Sequence, residues 1–82
     1  MTILVQQNWE QVGVFTDGSP VRAVRVFDDR RIVGRVVDVG GGNFRADFVT
    51  SAGDLAEVIM PDYYAAILRI AEEAKARFKR LH

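Results

Sequence analysis

One long amphipathic helix at the C-terminal end constrains the fold more than any other feature of the sequence. Over residues 62–81 the apolar residues recur at steps of three and four, which is the spacing of a single helical face. They are Tyr63, Ile67, Ile70, Ala71, Ala74, Phe78 and Leu81. Pro61 is suited to open the helix, and the basic residues near its end complement the negative end of the helix dipole. A helix with one apolar face needs a second layer to cover that face.

The first two-thirds of the chain has the pattern of antiparallel strands. Residues 12–15 and 21–27 are rich in β-branched and aromatic side chains, and the turn sequence Asp-Gly-Ser-Pro stands between them. A second turn, at residues 28–30, leads into residues 31–39. Residues 2–6 form either a further strand or a short edge pairing.

Alternation of side chains is clearest after three consecutive glycines, which predict a hairpin loop at residues 40–43. Residues 44–50 follow, and their side chains point alternately to the two faces of a sheet. Phe44, Ala46 and Phe48 share one face, while Arg45, Asp47 and Val49 share the other. We expect the phenylalanine face to lie under the long helix.

Residues 52–60 are interpreted as a short helix of about two turns. Ser51, followed three residues later by Asp54, resembles a capping box, and four apolar residues share one helical face. Those residues are Ala52, Leu55, Val58 and Ile59. An extension of the sheet through residues 57–60 is the alternative.

Together these patterns predict one α+β domain over residues 1–82, with two layers. An antiparallel β-meander of three to five strands forms one layer, and the long helix, with the short helix before it, packs on one face. A chain of 82 residues without cysteine must be stabilised by packing or by self-association. We expect a cytoplasmic protein with no signal peptide and no membrane contact.

The face of the sheet that the helix leaves uncovered is the candidate interaction surface. Arg31, Val33, Arg35 and Val37 have the same parity on their predicted strand, and Arg45 continues this surface on the next strand. Both parities of residues 31–39 carry apolar side chains, although a fully solvated face would not need them. We expect this mixed valine and arginine face to mediate self-association as a dimer or contact with a partner protein.

Aromatic residues near the ends of the chain add two further candidates for the interface. Trp9, which follows three polar residues, belongs either to the core or to an interface, where aromatic side chains often dominate the binding energy. Tyr63 and Tyr64 point about a hundred degrees apart on a helix, so one is buried and the other exposed. Tyr64 is the surface candidate.

Reactive groups are scarce in this sequence. The only histidine is His82, at the last position, and the chain has no cysteine. The three glycines lack the Lys-Ser or Lys-Thr pair and the helix of a phosphate-binding loop. We therefore expect no catalytic residue, no metal site and no cofactor, and an enzyme ranks third among the hypotheses.

Nucleic-acid binding is the alternative function, because six arginines fall between residues 22 and 45. Arginine donates paired hydrogen bonds to phosphate, which favours this function. Against it, the formal net charge of the chain is zero and aspartates stand among these arginines, where they would repel phosphate.

By size and architecture the chain is similar to the compact α+β proteins carried by phages and mobile elements, including some anti-CRISPR inhibitors. That likeness of scale and fold, together with the scarcity of reactive groups, makes a non-enzymatic interaction module the leading hypothesis. Such a module acts by surface contact as an inhibitor, an adaptor or a regulatory subunit.

Overall fold

The computed structural model describes residues 2–79, and it describes Phe78 and Lys79 by their backbone alone. The predicted contacts of Phe78 and the predicted helical positions of Arg80 and Leu81 therefore lie outside the described residues. The elements are β1 Ile3–Val5, β2 Glu10–Val14, β3 Pro20–Asp28, β4 Arg31–Gly40, β5 Asn43–Val49, β6 Leu55–Met60 and α1 Tyr63–Lys79.

All six strands form one antiparallel sheet with the order β1-β3-β4-β5-β6, and β2 pairs with β3 beside β1. The α+β class with a long C-terminal helix on one face is confirmed, but the sheet has more strands than the three to five expected. Between β1 and β2 the chain leaves the edge of β3. There the side chain of Gln6 replaces a strand partner, because its Oε1 accepts a hydrogen bond from the Arg25 amide at 3.1 Å.

The predicted short helix at residues 52–60 is wrong, because residues 55–60 form β6 and pair with β5 without a register shift. Thr50 and Asp54 close a hairpin loop instead of a capping box. The Thr50 amide donates to the Asp54 carbonyl at 2.8 Å, and the Asp54 amide donates to Thr50 Oγ1 at 3.2 Å. Gly53 supplies the positive φ of 92° that this loop requires.

The glycine loop and the start of the long helix agree with the sequence pattern. Gly40 pairs with Asn43, so only Gly41 and Gly42 connect β4 to β5, with φ values of 64° and 79°. Two consecutive positive φ angles are what a tight hairpin of the type I′ class needs. At the other end of the sheet, Asp62 caps α1, because its Oδ1 accepts the Ala65 amide at 3.0 Å.

The core lies between α1 and one face of the sheet. The helix packs mainly over β5 and β4, with smaller contacts to β6 and β3. As expected, Phe44, Ala46 and Phe48 lie on this face. The buried cluster comprises Val24, Val26, Val36, Ala46, Phe48, Ala66 and Ile70.

The helix α1 packs closely against the sheet at Gly34 on β4. A Cβ atom at that position would lie 2.7 Å from Cγ2 of Ile70 and 2.6 Å from the carbonyl oxygen of Asp47. Both distances are below any ordinary van der Waals contact, and neither the strand backbone nor the fully buried Ile70 has room to move. The absence of a side chain at Gly34 therefore sets how closely the two layers pack.

We predict that Gly34→Ala destabilises the protein by about 1–3 kcal/mol, because the added methyl group overpacks the core. Urea unfolding followed by circular dichroism measures the change. Gly13→Ala is the matched control, since its Cβ would meet only Val21 Cβ at 3.9 Å. Equal stability of the two variants would contradict a close-packed layer at Gly34.

Candidate interaction surface

The sheet face opposite the helix is uncovered within residues 2–79, because α1 packs on the other face and all strands belong to the one sheet. We call it the open face. Its side chains follow from strand alternation and register, since residues that pair directly share a face. They are Leu4, Ala23, Arg25, Phe27, Ile32, Arg35, Val37, Arg45, Asp47, Val49, Leu55, Glu57 and Ile59.

A β-bulge in β4 changes which of the predicted residues reach this face. Val26 pairs with Gly34 and Phe27 pairs with Ile32, so Val33 is the extra residue of the bulge. Val33 packs against the core cluster instead of the open face, and Ile32 takes its place. The expectation that residues 31–39 keep one parity is therefore wrong at this end of the strand, because an inserted residue reverses the alternation.

Arg31 also does not lie on the open face, where it was predicted. It lies opposite Asp28 in the register, and its Nη2 is 3.5 Å from Asp28 Oδ2. Asp28 is buried at the end of β3, on the side of the sheet that carries Val24 and Val26. Arg31 therefore partners a buried carboxylate at the hairpin end.

Arg35, Val37 and Arg45 do lie together on the open face, and Asp47 joins the two arginines. Asp47 Oδ2 accepts a hydrogen bond from Arg35 Nε at 2.9 Å, and Asp47 Oδ1 accepts one from Arg45 Nε at 2.7 Å. A further bond runs from Arg45 Nη2 to Asp47 Oδ2 at 2.9 Å. One carboxylate thus binds and orients two guanidinium groups on neighbouring strands.

The ion network extends to both edges of the sheet. On the β6 side, Arg45 Nε is 3.2 Å from Glu57 Oε2. On the β2 side, Arg25 Nη2 is 3.7 Å from Glu10 Oε2, and Gln6 Nε2 donates to Glu10 Oε1 at 2.6 Å. Because each arginine has an acidic neighbour, this row of side chains carries little net charge.

Hydrogen bonding to Asp47 raises the pKa of Arg45 above its ordinary value, while partial burial opposes that shift. The Arg45 side chain is mostly buried, and Arg45 lies directly opposite Val37. Val37 and Ala23 are both buried although no element covers the open face. Neighbouring side chains on the face must shield them, as the methylene stem of a paired arginine can do.

A groove of about 290 Å³ lies beside this network at the end of the sheet where β4 bulges, and residues from both faces of the sheet line it. Its lining residues come from β3, β4, β5, β6 and α1: Arg25, Ile32, Val33, Gly34, Arg35, Asp47, Phe48, Val49, Leu55 and Arg77. Ile32 is 61% exposed and Leu55 is 85% exposed. Exposed apolar side chains and arginines therefore lie side by side at this groove.

Trp9 and Tyr64 lie away from the groove. The Trp9 ring contacts Phe44 and Tyr63, with centroid distances of 6.3 and 5.6 Å, so Trp9 joins the start of α1 to the sheet. It remains 39% exposed. Tyr64 is 75% exposed and touches Tyr63 edge-on, with the ring centroids 5.5 Å apart. Neither residue shares a surface with Arg35 and Arg45.

Burial raises the pKa of Tyr63, and the neighbouring phenol of Tyr64 raises it further. Both effects disfavour a negative charge on the Tyr63 ring oxygen. Tyr63 is therefore a structural member of the aromatic cluster and carries its proton at neutral pH.

Leu55 and Ile32 are surface residues that the sequence interpretation missed. For Leu55 the signal was ambiguous, because residues 55–60 are apolar at every position except Glu57 and fit a helix as well as a strand. For Ile32 the sequence offered none, because Ile32 and Val33 are both β-branched and apolar.

Within residues 2–79, no group of three or more histidine, cysteine, aspartate or glutamate side chains has the arrangement of a metal site. In the same part of the chain, no helix is long and apolar enough to cross a membrane. Comparisons with protein-family models, with curated proteins and with solved structures gave no match. Function is therefore inferred from the geometry of the open face.

We predict that Asp47→Asn lowers the free energy of unfolding by about 1–2 kcal/mol, because it removes a charge that two arginines share. Glu57→Gln is the control, with an expected loss of at most about 0.5 kcal/mol, because the Glu57 side chain is exposed. Urea unfolding at low and high salt measures both, and salt should narrow the difference. Equal losses would show that Asp47 is not the centre of the network.

We predict that Tyr63 makes stability depend on alkaline pH. Its pKa is higher in the folded protein than the ordinary value near 10, so the unfolded chain loses the phenolic proton first. Stability is thus unaffected by this group below about pH 10 and falls as the pH rises through its folded pKa. Urea unfolding across this range should give a shallower decline for Tyr63→Phe than for the wild-type protein. Parallel declines would contradict the prediction.

Proposed function

We propose that the protein is a non-enzymatic interaction module that binds a partner protein through the groove of the open face. The observation that carries this proposal is the exposure of Ile32 and Leu55, which lie toward the same end of the sheet, next to the Arg35–Asp47 pair. Exposed apolar side chains grouped in a groove and rimmed by polar residues are typical of a protein-binding site.

The chemistry of the groove indicates the kind of segment that fits. Its floor accepts an apolar side chain, and its charged lining residues are Arg25, Arg35 and Arg77 against Asp47. Because Arg25 already contacts Glu10 and Arg35 already contacts Asp47, the groove favours a partner segment whose apolar side chain is flanked by polar groups rather than by strong charge. The Arg35–Asp47 hydrogen bond also holds the guanidinium in place, which reduces the entropy lost on binding.

Nucleic-acid binding is the weaker alternative. Arg25, Arg35 and Arg45 each contact a carboxylate of the same chain, so a phosphate would have to compete with Glu10, Asp47 and Glu57. Phosphate contacts also make affinity fall steeply with salt, whereas an apolar groove retains its partner. A salt titration against DNA and RNA distinguishes the two functions.

We predict that Ile32→Glu lowers partner binding at least tenfold, because it places an acidic side chain at the apolar groove. Leu68→Glu is the matched control, since Leu68 is equally exposed but lies on α1. Tagged wild-type protein and both variants are used to capture proteins from the cells of origin, followed by quantitative mass spectrometry. Affinity for the purified partner is then measured by calorimetry.

The proposal requires a partner that is retained by the wild-type protein and by Leu68→Glu but lost with Ile32→Glu. Circular dichroism confirms that each variant is folded. If folded Ile32→Glu recovers the same proteins in the same amounts as the wild-type protein, the groove is not the binding site.

A further inference from the structure

The two edges of the sheet differ in how well they resist pairing with another strand. At one edge β1 has only three residues, and β2 carries a register shift between Gln11 and Gly13. Short strands and bulges are the usual means by which proteins protect a sheet edge. At the other edge, β6 is six residues long and pairs with β5 without any shift.

The backbone of β6 presents regular hydrogen-bonding groups to the outside. The Thr50 amide donates to the Asp54 carbonyl, so Asp54 points its peptide groups toward β5. Because this direction alternates along a strand, Ala56, Val58 and Met60 also face β5. The amides and carbonyls of Leu55, Glu57 and Ile59 face outward, where the described sheet has no further strand.

The side chains of β6 offer little protection against a second strand. The strand contains neither proline nor lysine, and its one charged residue, Glu57, already contacts Arg45 of the same chain. On the open face Leu55 and Ile59 stand on either side of Glu57, and both are more than half exposed. A partner strand must therefore be apolar at most positions and must not bring a second carboxylate opposite Glu57.

A second copy of β6 meets these requirements in one antiparallel register. If a twofold axis passes between the two Val58 residues, each Glu57 lies opposite Ile59 of the other copy, and Ala56 lies opposite Met60. Within each chain Arg45 lies directly beside Ile59. Each Glu57 therefore points along a row toward the Arg45 of the other copy, which gives charge complementarity across the axis.

The neighbouring register is unfavourable. In that register the twofold axis passes between the two Glu57 residues. Because Asp47 pairs with Glu57 within each chain, the Asp47 and Glu57 side chains of both copies would lie in one row across the interface. Like charges that lie directly opposite each other destabilise a sheet. The Val58 register joins the outward-facing Glu57 and Ile59 as two hydrogen-bonded pairs, and the neighbouring register would form three, so charge and not the number of hydrogen bonds separates the two registers.

We propose that two copies of the chain pair through β6, antiparallel about Val58, to form one continuous sheet with both helices on the same side. The preformed strand of each copy needs no ordering on association. This pairing uses the sheet edge and does not depend on the proposed partner groove, so Ile32→Glu should leave it intact.

Glu57→Pro tests the pairing, because proline removes an outward-facing amide but no bond to β5. Glu57→Ala is the matched control, which loses the same charge but keeps the amide. In sedimentation velocity over a concentration series, we expect a dimer for the wild-type protein and for Glu57→Ala. For Glu57→Pro we expect a dissociation constant at least tenfold higher. A monomeric wild-type protein at high micromolar concentration, or a folded Glu57→Pro that dimerises as well as Glu57→Ala, would overturn the inference.

Disulfide trapping tests the register without a proline. The chain has no cysteine, so a single substitution reports one position. Val58→Cys should form a covalent dimer under mild oxidation, because directly opposed Cβ atoms on paired strands lie about 4.5–5.5 Å apart. The side chain at position 57 is more exposed, but in this register it lies diagonally from position 57 of the other copy, about 7–8 Å away. Glu57→Cys should therefore form less covalent dimer than Val58→Cys. Equal or faster trapping at Glu57→Cys would indicate random collision and refute the register.

Discussion

The packing of Ile70 on the bare backbone of Gly34 is the contact on which the rest of the structure depends. It brings α1 close to the centre of the sheet, where Val24, Val26, Val36 and the alternating residues of β5 complete the core. A single helix of 17 residues can cover only one face. Every property of the open face follows from this asymmetry, because its side chains must be satisfied by one another, by water or by a second molecule.

The chain satisfies much of the open face through its own charges. Asp47 accepts hydrogen bonds from Arg35 and Arg45, and Val37, which lies directly opposite Arg45, is buried. Charge pairing of this kind leaves little reason for a polyanion to bind, although the sequence is rich in arginine. The large apolar side chains of the open face that stay exposed are Leu4, Ile32, Leu55 and Ile59. Two surfaces are proposed for contact: the groove at the end of the sheet and the edge of β6.

These two surfaces suit different kinds of partner. The groove offers side-chain contacts and a rim of paired charges, so the identity of the bound segment matters there. The edge of β6 offers backbone groups in a regular array, so it accepts any extended strand of compatible pattern. A small domain that buries limited apolar surface gains stability from pairing with its own copy. The two surfaces meet at Leu55, which lines the groove and begins β6.

Local patterns in the sequence determined the long helix, the hairpin at Gly41 and Gly42, and the two faces of β5. Each of these depends on a hydrophobic periodicity or on a positive φ angle that can be predicted from residues close together in the sequence. Residues 55–60 carry apolar side chains at spacings that fit a helix and a strand equally well. Residues 55–60 form a strand and not a helix because a strand can pair with the edge of β5 and so gains a full ladder of hydrogen bonds. Tertiary structure also decided the bulge at Val33, because close contact between α1 and Gly34 fixes the register on one side of it and the Asp28 hairpin fixes the other.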